Sequence, residues 1–340
     1  MQKKRILFRT SGGKIKGKQM GLGHVMRCMN LAKVLTKSFN IEFLIEDYGG
    51  VKSILKENHF HNITQIKRKG NVTQDTIETL KLINKKSIDL IIIDKHDLET
   101  SYIKKIKENS KIVIITDLKK YNFRGDLIVN GFIGLKNKKF QNRFNATCLT
   151  GPKYQILNSK FGKQSKIKKQ YSILATFGGL DEKGVRDIFL KASLPYIKKN
   201  KLELIVGPMA KKSSCITKIQ KRYPKNIKVK NMVKNMHAEI SKAQFGFTLG
   251  GITTYEFAAC NVPFAIISDD KHQLPTAKEW EKRKLGINLG MISIHTEKKI
   301  QKILEEITHK RFHNFTKAKN FVDGLGVNRV AHEILKISNS

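Results

Sequence analysis

The chain has 340 residues, with 66 Lys or Arg against 28 Asp or Glu and a formal net charge of +38. At roughly 100–200 residues per domain, this length implies two domains. A content of 40% apolar and 28% charged residues excludes a disordered polycation. No apolar run reaches the ~18 residues of a membrane span. The apolar stretch at 6–8 is too short for a signal-peptide core, and no small-residue cleavage site follows it. Cys28, Cys148, Cys215 and Cys260 are scattered, without zinc or disulfide spacing. The expectation is a reduced, cytoplasmic, two-domain protein without an integral membrane segment. Lysine is spread along the whole chain among Ile and Asn, so the charge reads as a solvated basic background. Recruitment by acidic surfaces is a second reading. Nucleic-acid binding, a third, calls for a clustered basic face with aromatic platforms. No helix-turn-helix, zinc-finger or RRM-like signature is visible, so nucleic acid is not an expected partner.

In chain order, short apolar runs at 6–8, 41–45, 88–94, 112–116 and 127–129 read as strands. Helical patterns at 24–38, 51–58, 74–86 and 99–109 lie between them. This alternation predicts βαβ units on a parallel sheet. The run Leu90-Ile91-Ile92-Ile93 suits a strand buried on both faces. Residues 157–170 (LNSKFGKQSKIKKQ) are polar, basic and nonperiodic, and read as an interdomain linker after a domain at 1–156. Alternation restarts with strands at 172–177, 202–206, 227–229, 245–249, 264–267 and 287–289. That predicts a second α/β domain over 171–326, closed by an amphipathic helix at 327–340. Two such domains form a cleft, and open α/β sheets bind ligands beyond the carboxyl ends of their strands.

Four segments after strands draw chemical interest. Gly21-Leu22-Gly23-His24-Val25-Met26-Arg27 follows strand 6–8 after a long loop and opens the first helix. Gly21 and Gly23 let backbone approach a ligand, and the helix start suits an anion. His24 can serve as a general base, with Arg27 one turn further on the same face. The plain alternative is a glycine turn with an incidental histidine. Leu249-Gly250-Gly251-Ile252-Thr253-Thr254-Tyr255-Glu256 follows strand 245–249 and begins a helix. Gly250 and Gly251, with the hydroxyls of Thr253 and Thr254, make a diphosphate cradle, and Glu256 suits two ribose hydroxyls. Ordinary capping by threonine is the competing reading.

The third segment is Phe177-Gly178-Gly179-Leu180-Asp181, either a close backbone approach to the cleft or a tight strand-to-helix turn. The fourth is Asp269-Asp270-Lys271-His272-Gln273, which offers donors to a sugar or phosphate. Its adjacent carboxylates diverge, so no metal is expected. Asp94 and Asp117 end first-domain strands, and serve either sugar hydroxyls or the capping of the next helix.

These residues resemble a known family, the UDP-2,4-diacetamido-2,4,6-trideoxy-β-L-altropyranose hydrolases of the pseudaminic acid pathway. Those enzymes are related to spore-coat polysaccharide proteins and to inverting GT-B glycosyltransferases. The resemblance runs over nearly the whole chain. Its anchors are Ile6-Leu7-Phe8-Arg9, GLGHVMRCMNLAKVL (21–35), Leu149-Thr150-Gly151-Pro152-Lys153-Tyr154, Thr176-Phe177-Gly178-Gly179, Val206-Gly207-Pro208, LGGITTYE (249–256) and Val322-Asp323-Gly324-Leu325-Gly326-Val327-Asn328-Arg329.

The resemblance implies an α/β, GT-B-like protein, two Rossmann-like domains facing across a cleft, with no cofactor and no metal. It makes His24 the base that activates water against the anomeric carbon of a UDP-sugar, UDP departing with inversion. By similarity to the related N-acetylglucosaminyltransferase of peptidoglycan synthesis, Glu256 holds the ribose. Gly250, Gly251 and Thr253 hold the diphosphate, and backbone at Val233 meets the uracil. Thr254, Gly178 and Gly179 complete the UDP set. Gly21, Gly23, Arg27, His272 and Gln273 are assigned to sugar or phosphate, Gln273 matching the Gln of the family's Asn-Gln pair. Two departures stand out. The loop after Arg9 reads Thr10-Ser11-Gly12-Gly13, without the family's Asp, and is lengthened by basic residues (Lys14, Lys16, Lys18). His272 also replaces the family's Asn. Both bear on the sugar side. An inverting glycosyltransferase on the same scaffold is the alternative activity, and a basic nucleic-acid-binding protein a remote one. Oligomeric state is not legible.

Overall fold

In a computed structural model, residues 3–15, 18–66, 71–95, 98–163, 167–181, 183–211, 213–308 and 318–339 are described. The chain divides into two compact units. One comprises residues 1–159 with 324–340, and the other residues 160–323.

In the first unit, β1 (Arg5–Ile15) and β2 (Lys18–Gly21) lead into α1 (Gly23–Leu35) and β3 (Asn40–Tyr48). Next come α2 (Val51–Glu57), β4 (Ile63–Gln65), α3 (Val72–Lys86), β5 (Leu90–Asp94), α4 (Thr100–Lys107) and β6 (Lys111–Ile115). The unit's sheet ends with β7 (Leu127–Asn130), β8 (Lys138–Gln141) and β9 (Thr147–Thr150). Among the described residues the sheet order is β4-β3-β1-β5-β6-β7-β9-β8, with β2 paired to β1. Pairing is parallel except at β1–β2 and β8–β9. The βαβ expectation therefore holds, and β5 is buried along its whole length. Each buried Ile of this strand contributes about 1.5–3 kcal/mol relative to exposure. The C-terminal helix, Gly326–Asn339, also belongs to this unit. Lys139 pairs with its Glu333 at 2.6 Å.

One expectation needs correcting. The residues after 6–8 do not form a long loop. β1 continues alongside β3 as far as Gly13 opposite Tyr48, then turns back into β2. The physical reason lies in the pairing itself: Thr10, Ser11 and Gly12 find ladder partners in Ile45, Glu46 and Asp47. Lys16 lies outside the described residues, as do the side chains of Lys14 and Lys18.

The second unit carries β10 (Tyr171–Thr176), α5 (Val185–Ala192), α6 (Leu194–Ile197), β11 (Leu202–Val206), α7 (Ser214–Arg222) and β12 (Ile227–Asn231). It continues with α8 (Met236–Lys242), β13 (Ala243–Leu249), α9 (Thr253–Ala259), β14 (Phe264–Ser268), α10 (Leu274–Lys282), β15 (Ile287–Met291) and α11 (Thr296–Thr308). Its sheet is parallel in the order β12-β11-β10-β13-β14-β15. The core on one face gathers Ile173, Phe189, Leu204, Phe247 and Ile300. The polar 157–170 segment has two apolar anchors of its own, the buried Leu157 and Phe161. Phe161 meets His237 edge-on, with ring centroids 5.4 Å apart.

Candidate active site

The first unit concentrates charge at the carboxyl edge of its sheet. Gly21 ends β2 at φ +64°, a left-handed conformation that favours glycine, and a side chain at Gly21 or Gly23 would meet nothing within 4 Å. The backbone beside His24 is therefore open. His24 stands in the first turn of α1, with its side chain 12% exposed. Because β5 neighbours β1, the last residue of β5 comes to lie beside the start of α1. That residue is Asp94, fully buried, and its Oδ1 lies 2.6 Å from His24 Nδ1.

Arg27, one turn along, closes the arrangement. Its Nε and Nη2 donate to the two Asp94 oxygens at 2.8 and 2.7 Å. Its Nη1 and Nη2 donate to the two Asp117 oxygens at 2.6 and 3.1 Å. Arg27 Nη2 also lies 3.3 Å from His24 Nδ1. A guanidinium nitrogen only donates, and both hydrogens of Nη2 are directed at carboxylates. Nδ1 is therefore the protonated ring nitrogen, donating to Asp94. Desolvation would raise the Asp94 carboxyl, yet the Arg27 charge overrides it and holds the group well below the usual carboxylate range. Asp117, whose rim is half exposed, is lowered by Arg27 against the same desolvation cost. The two carboxylates in turn keep Arg27 charged despite its burial. Removing the buried Asp94 from this set costs about 3–5 kcal/mol, whereas the half-exposed Asp117 is screened by water and matters less.

Arg27, expected at the sugar or phosphate, thus has its guanidinium directed inward at Asp94 and Asp117. A buried cation needs compensating carboxylates, and two are supplied by adjacent strand ends. Reading Asp94 and Asp117 as hydroxyl ligands or helix caps missed this. The available signal was the i, i+3 spacing of His24 and Arg27 on one helix face, opposite acidic strand ends.

The second unit also gathers its predicted residues at the carboxyl edge of its sheet. Gly178 and Gly179 form the turn after β10, and Met209 N–H donates to the Gly179 carbonyl at 3.0 Å. Val233 lies half-buried just past β12. Gly250 follows β13 so close to Gln273 that a side chain would come within 2.7 Å of Gln273 Cβ. Gly251 is exposed, and a side chain there would meet nothing within 4 Å. Thr253 is half-buried in the first turn of α9, three residues before Glu256. Desolvation pushes the Glu256 carboxyl up to about 7, with the nearby Thr253 hydroxyl opposing the rise.

Thr254 and Gln273 point elsewhere than expected. Thr254 is fully buried, donates to the Gly251 carbonyl at 2.8 Å and accepts the Trp280 indole N–H at 3.0 Å. Its hydroxyl pins the glycine loop from within and does not face a phosphate. Gln273 Oε1 accepts the Gly250 and Asp269 N–H groups at 3.2 and 3.3 Å, while Nε2 donates to Asp269 Oδ1 at 2.6 Å. The amide joins two strand-end loops, since their backbone donors need an acceptor there. His272 is exposed beside it, its side chain 84% accessible. Thr254→Val should lower stability by about 1–3 kcal/mol, because the indole N–H loses its buried acceptor. Chemical denaturation should read this as a lower midpoint at unchanged slope.

Among the described residues, no three His, Cys, Asp or Glu side chains form a group able to hold a metal ion. No described helix is long and apolar enough to cross a membrane.

No family model matches the chain. It is 26% identical over 284 residues to the spore coat polysaccharide biosynthesis protein SpsG of Bacillus subtilis, covering 81% of each chain. It is 29% identical over 269 residues to MJ1062, an uncharacterized protein of Methanocaldococcus jannaschii, covering 75% of this chain and only 54%, about half, of the archaeal one. Among solved structures, MurG of Acinetobacter baumannii superposes with a TM-score of 0.64 at 15% identity, over 98% of this chain and 99% of MurG. MnaA of S. aureus, solved with UDP, gives 0.59 at 13% identity, over 99% and 97%. The fold is GT-B-like. Within that fold, His24 lies in the first unit and Glu256 in the second, each at the carboxyl edge of a parallel sheet.

Proposed function

We propose that this GT-B-like protein is a hydrolase that removes UDP from a UDP-activated diacetamido-trideoxy sugar with inversion. It would act in the synthesis of a pseudaminic-type nonulosonic acid or of a surface polysaccharide. The observation that carries the reading is His24, partly exposed in the first turn of α1 with Nδ1 fixed on Asp94. With the proton on Nδ1, the lone pair resides on Nε2, where the ring acts as a base. Nε2 takes a proton from water as the oxygen attacks the anomeric carbon. The bond from that carbon to the UDP oxygen breaks, and the electron pair leaves with the diphosphate. The backbone N–H of Gly251, with the Thr253 hydroxyl, receives the growing charge, while the Gly250 N–H stays on Gln273 and holds the glycine loop in place. Glu256 accepts the ribose hydroxyls, and backbone at Val233 meets the uracil. Similarity to SpsG and the UDP-bound state of the MnaA structure support a UDP-sugar substrate.

The test is a panel of UDP-sugars, including diacetamido-trideoxy ones, with UDP release measured with and without glycan acceptors. UDP and free inverted sugar in water alone are the expected products. Release that requires an acceptor and transfers label into a glycan would instead identify a glycosyltransferase.

A further inference from the structure

We propose that Arg27 is a positioning residue for His24 and not a ligand of the substrate, a role that presupposes His24 as the base. The guanidinium carries five N–H donors, which form two forks. The fork of Nε and Nη2 takes both oxygens of Asp94, and the fork of Nη1 and Nη2 takes both oxygens of Asp117. Four of the five donors are thereby used, and the side chain is only 7% exposed. Only the second hydrogen of Nη1 is left, so a substrate phosphate could take the guanidinium in a bidentate pair only by breaking one of these forks.

The same forks define what Asp94 can do. Its Oδ1 accepts from Arg27 Nη2 and faces His24 Nδ1, and its Oδ2 accepts from Arg27 Nε. Cys28 Sγ stands 3.7 Å from Oδ2. Rotation of the carboxylate would break both Arg27 bonds, so Oδ1 stays aimed at the imidazole. Arg27 therefore sets both the ring orientation and the tautomer, through Asp94, without touching the reacting atoms. Asp117, from the loop after β6, anchors the other side of the guanidinium. A lysine at this position would keep the charge but could not span two carboxylates in parallel pairs.

The experiment compares wild type with Arg27→Lys and Asp117→Asn. Far-UV circular dichroism and UDP binding establish that the variants fold. Nitrogen-15 chemical shifts of the neutral His24 imidazole report its tautomer without any substrate. The wild type should show Nδ1–H, and Arg27→Lys should shift the ring toward a mixture with Nε2–H. In UDP release, Arg27→Lys should lower kcat by about 10–100-fold, the usual scale for outer partners of a working group. KM should stay within about threefold, since no ground-state contact is lost. Asp117→Asn should show the same pattern to a smaller degree. An unchanged tautomer and kcat in Arg27→Lys would overturn the proposal, as would a raised KM at constant kcat, which marks a substrate ligand. If the tautomer shifts but the wild type cleaves no UDP-sugar, the positioning role stands and the substrate assignment falls.

Discussion

A His24→Ala variant is expected to lose UDP release by about 10²–10⁴-fold, the range that a positioned general base contributes. UDP affinity should stay near the wild-type value, because the residues assigned to the nucleotide belong to the other unit. The fold should also survive. Removing the imidazole leaves Asp94 with both of its bonds from Arg27, so no buried charge is orphaned. The melting temperature should therefore change little while turnover collapses. A histidine with a merely structural place predicts the reverse, a lowered melting temperature with turnover intact. Calorimetric titration with UDP beside a continuous UDP-release assay separates the two, and wild-type turnover in the variant would remove His24 from the mechanism.

The strand-and-helix order was readable because periodicity reports burial. Leu90-Ile91-Ile92-Ile93 has no polar face, and a strand buried on both sides of a parallel sheet needs none. The β1–β2 hairpin was hidden, since Thr10-Ser11-Gly12-Gly13 reads as a loop until β3 supplies its partners. The candidate site was legible in kind more than in geometry. Glycines after strands marked the carboxyl edge of each sheet, because there strand ends and helix starts converge. Which way a side chain points depends on neighbours remote in sequence. Arg27 turns inward because Asp94 and Asp117 come from 67 and 90 residues away. Thr254 turns inward because Trp280 presents an indole N–H. Spacing within one helix contains neither fact. The ionic cluster at His24 draws on one arginine and two aspartates, so it owes nothing to the lysines that make up most of the +38 charge.

Glu256 yields the second large effect, through opposite demands on one carboxyl. In the folded protein desolvation raises it to about 7 from an ordinary value of 4.5. Between those pH values the native state holds a proton that the unfolded chain has released. Stability therefore falls as pH rises through that window, and the full penalty applies above about 7. Under the proposed function, however, the ribose hydroxyls donate to the ionised form. UDP affinity of the wild type should accordingly rise with pH and level off above about 7, apart from any titration of the nucleotide itself. Glu256→Gln separates the two demands. It removes the charged state, so the variant should melt above the wild type near pH 8 and equal to it near pH 4.5, as isosteric loss of a strained charge requires. It also removes two charge-assisted hydrogen bonds, each worth about 1.5–3 kcal/mol, so UDP affinity near pH 8 should fall by at least about 10-fold. A variant that is more stable at alkaline pH and yet binds UDP poorly would mark a carboxylate held at a cost in stability for its ligand. Equal UDP affinity of the two proteins at pH 8 would instead assign the raised titration to burial alone and move the ribose acceptor elsewhere.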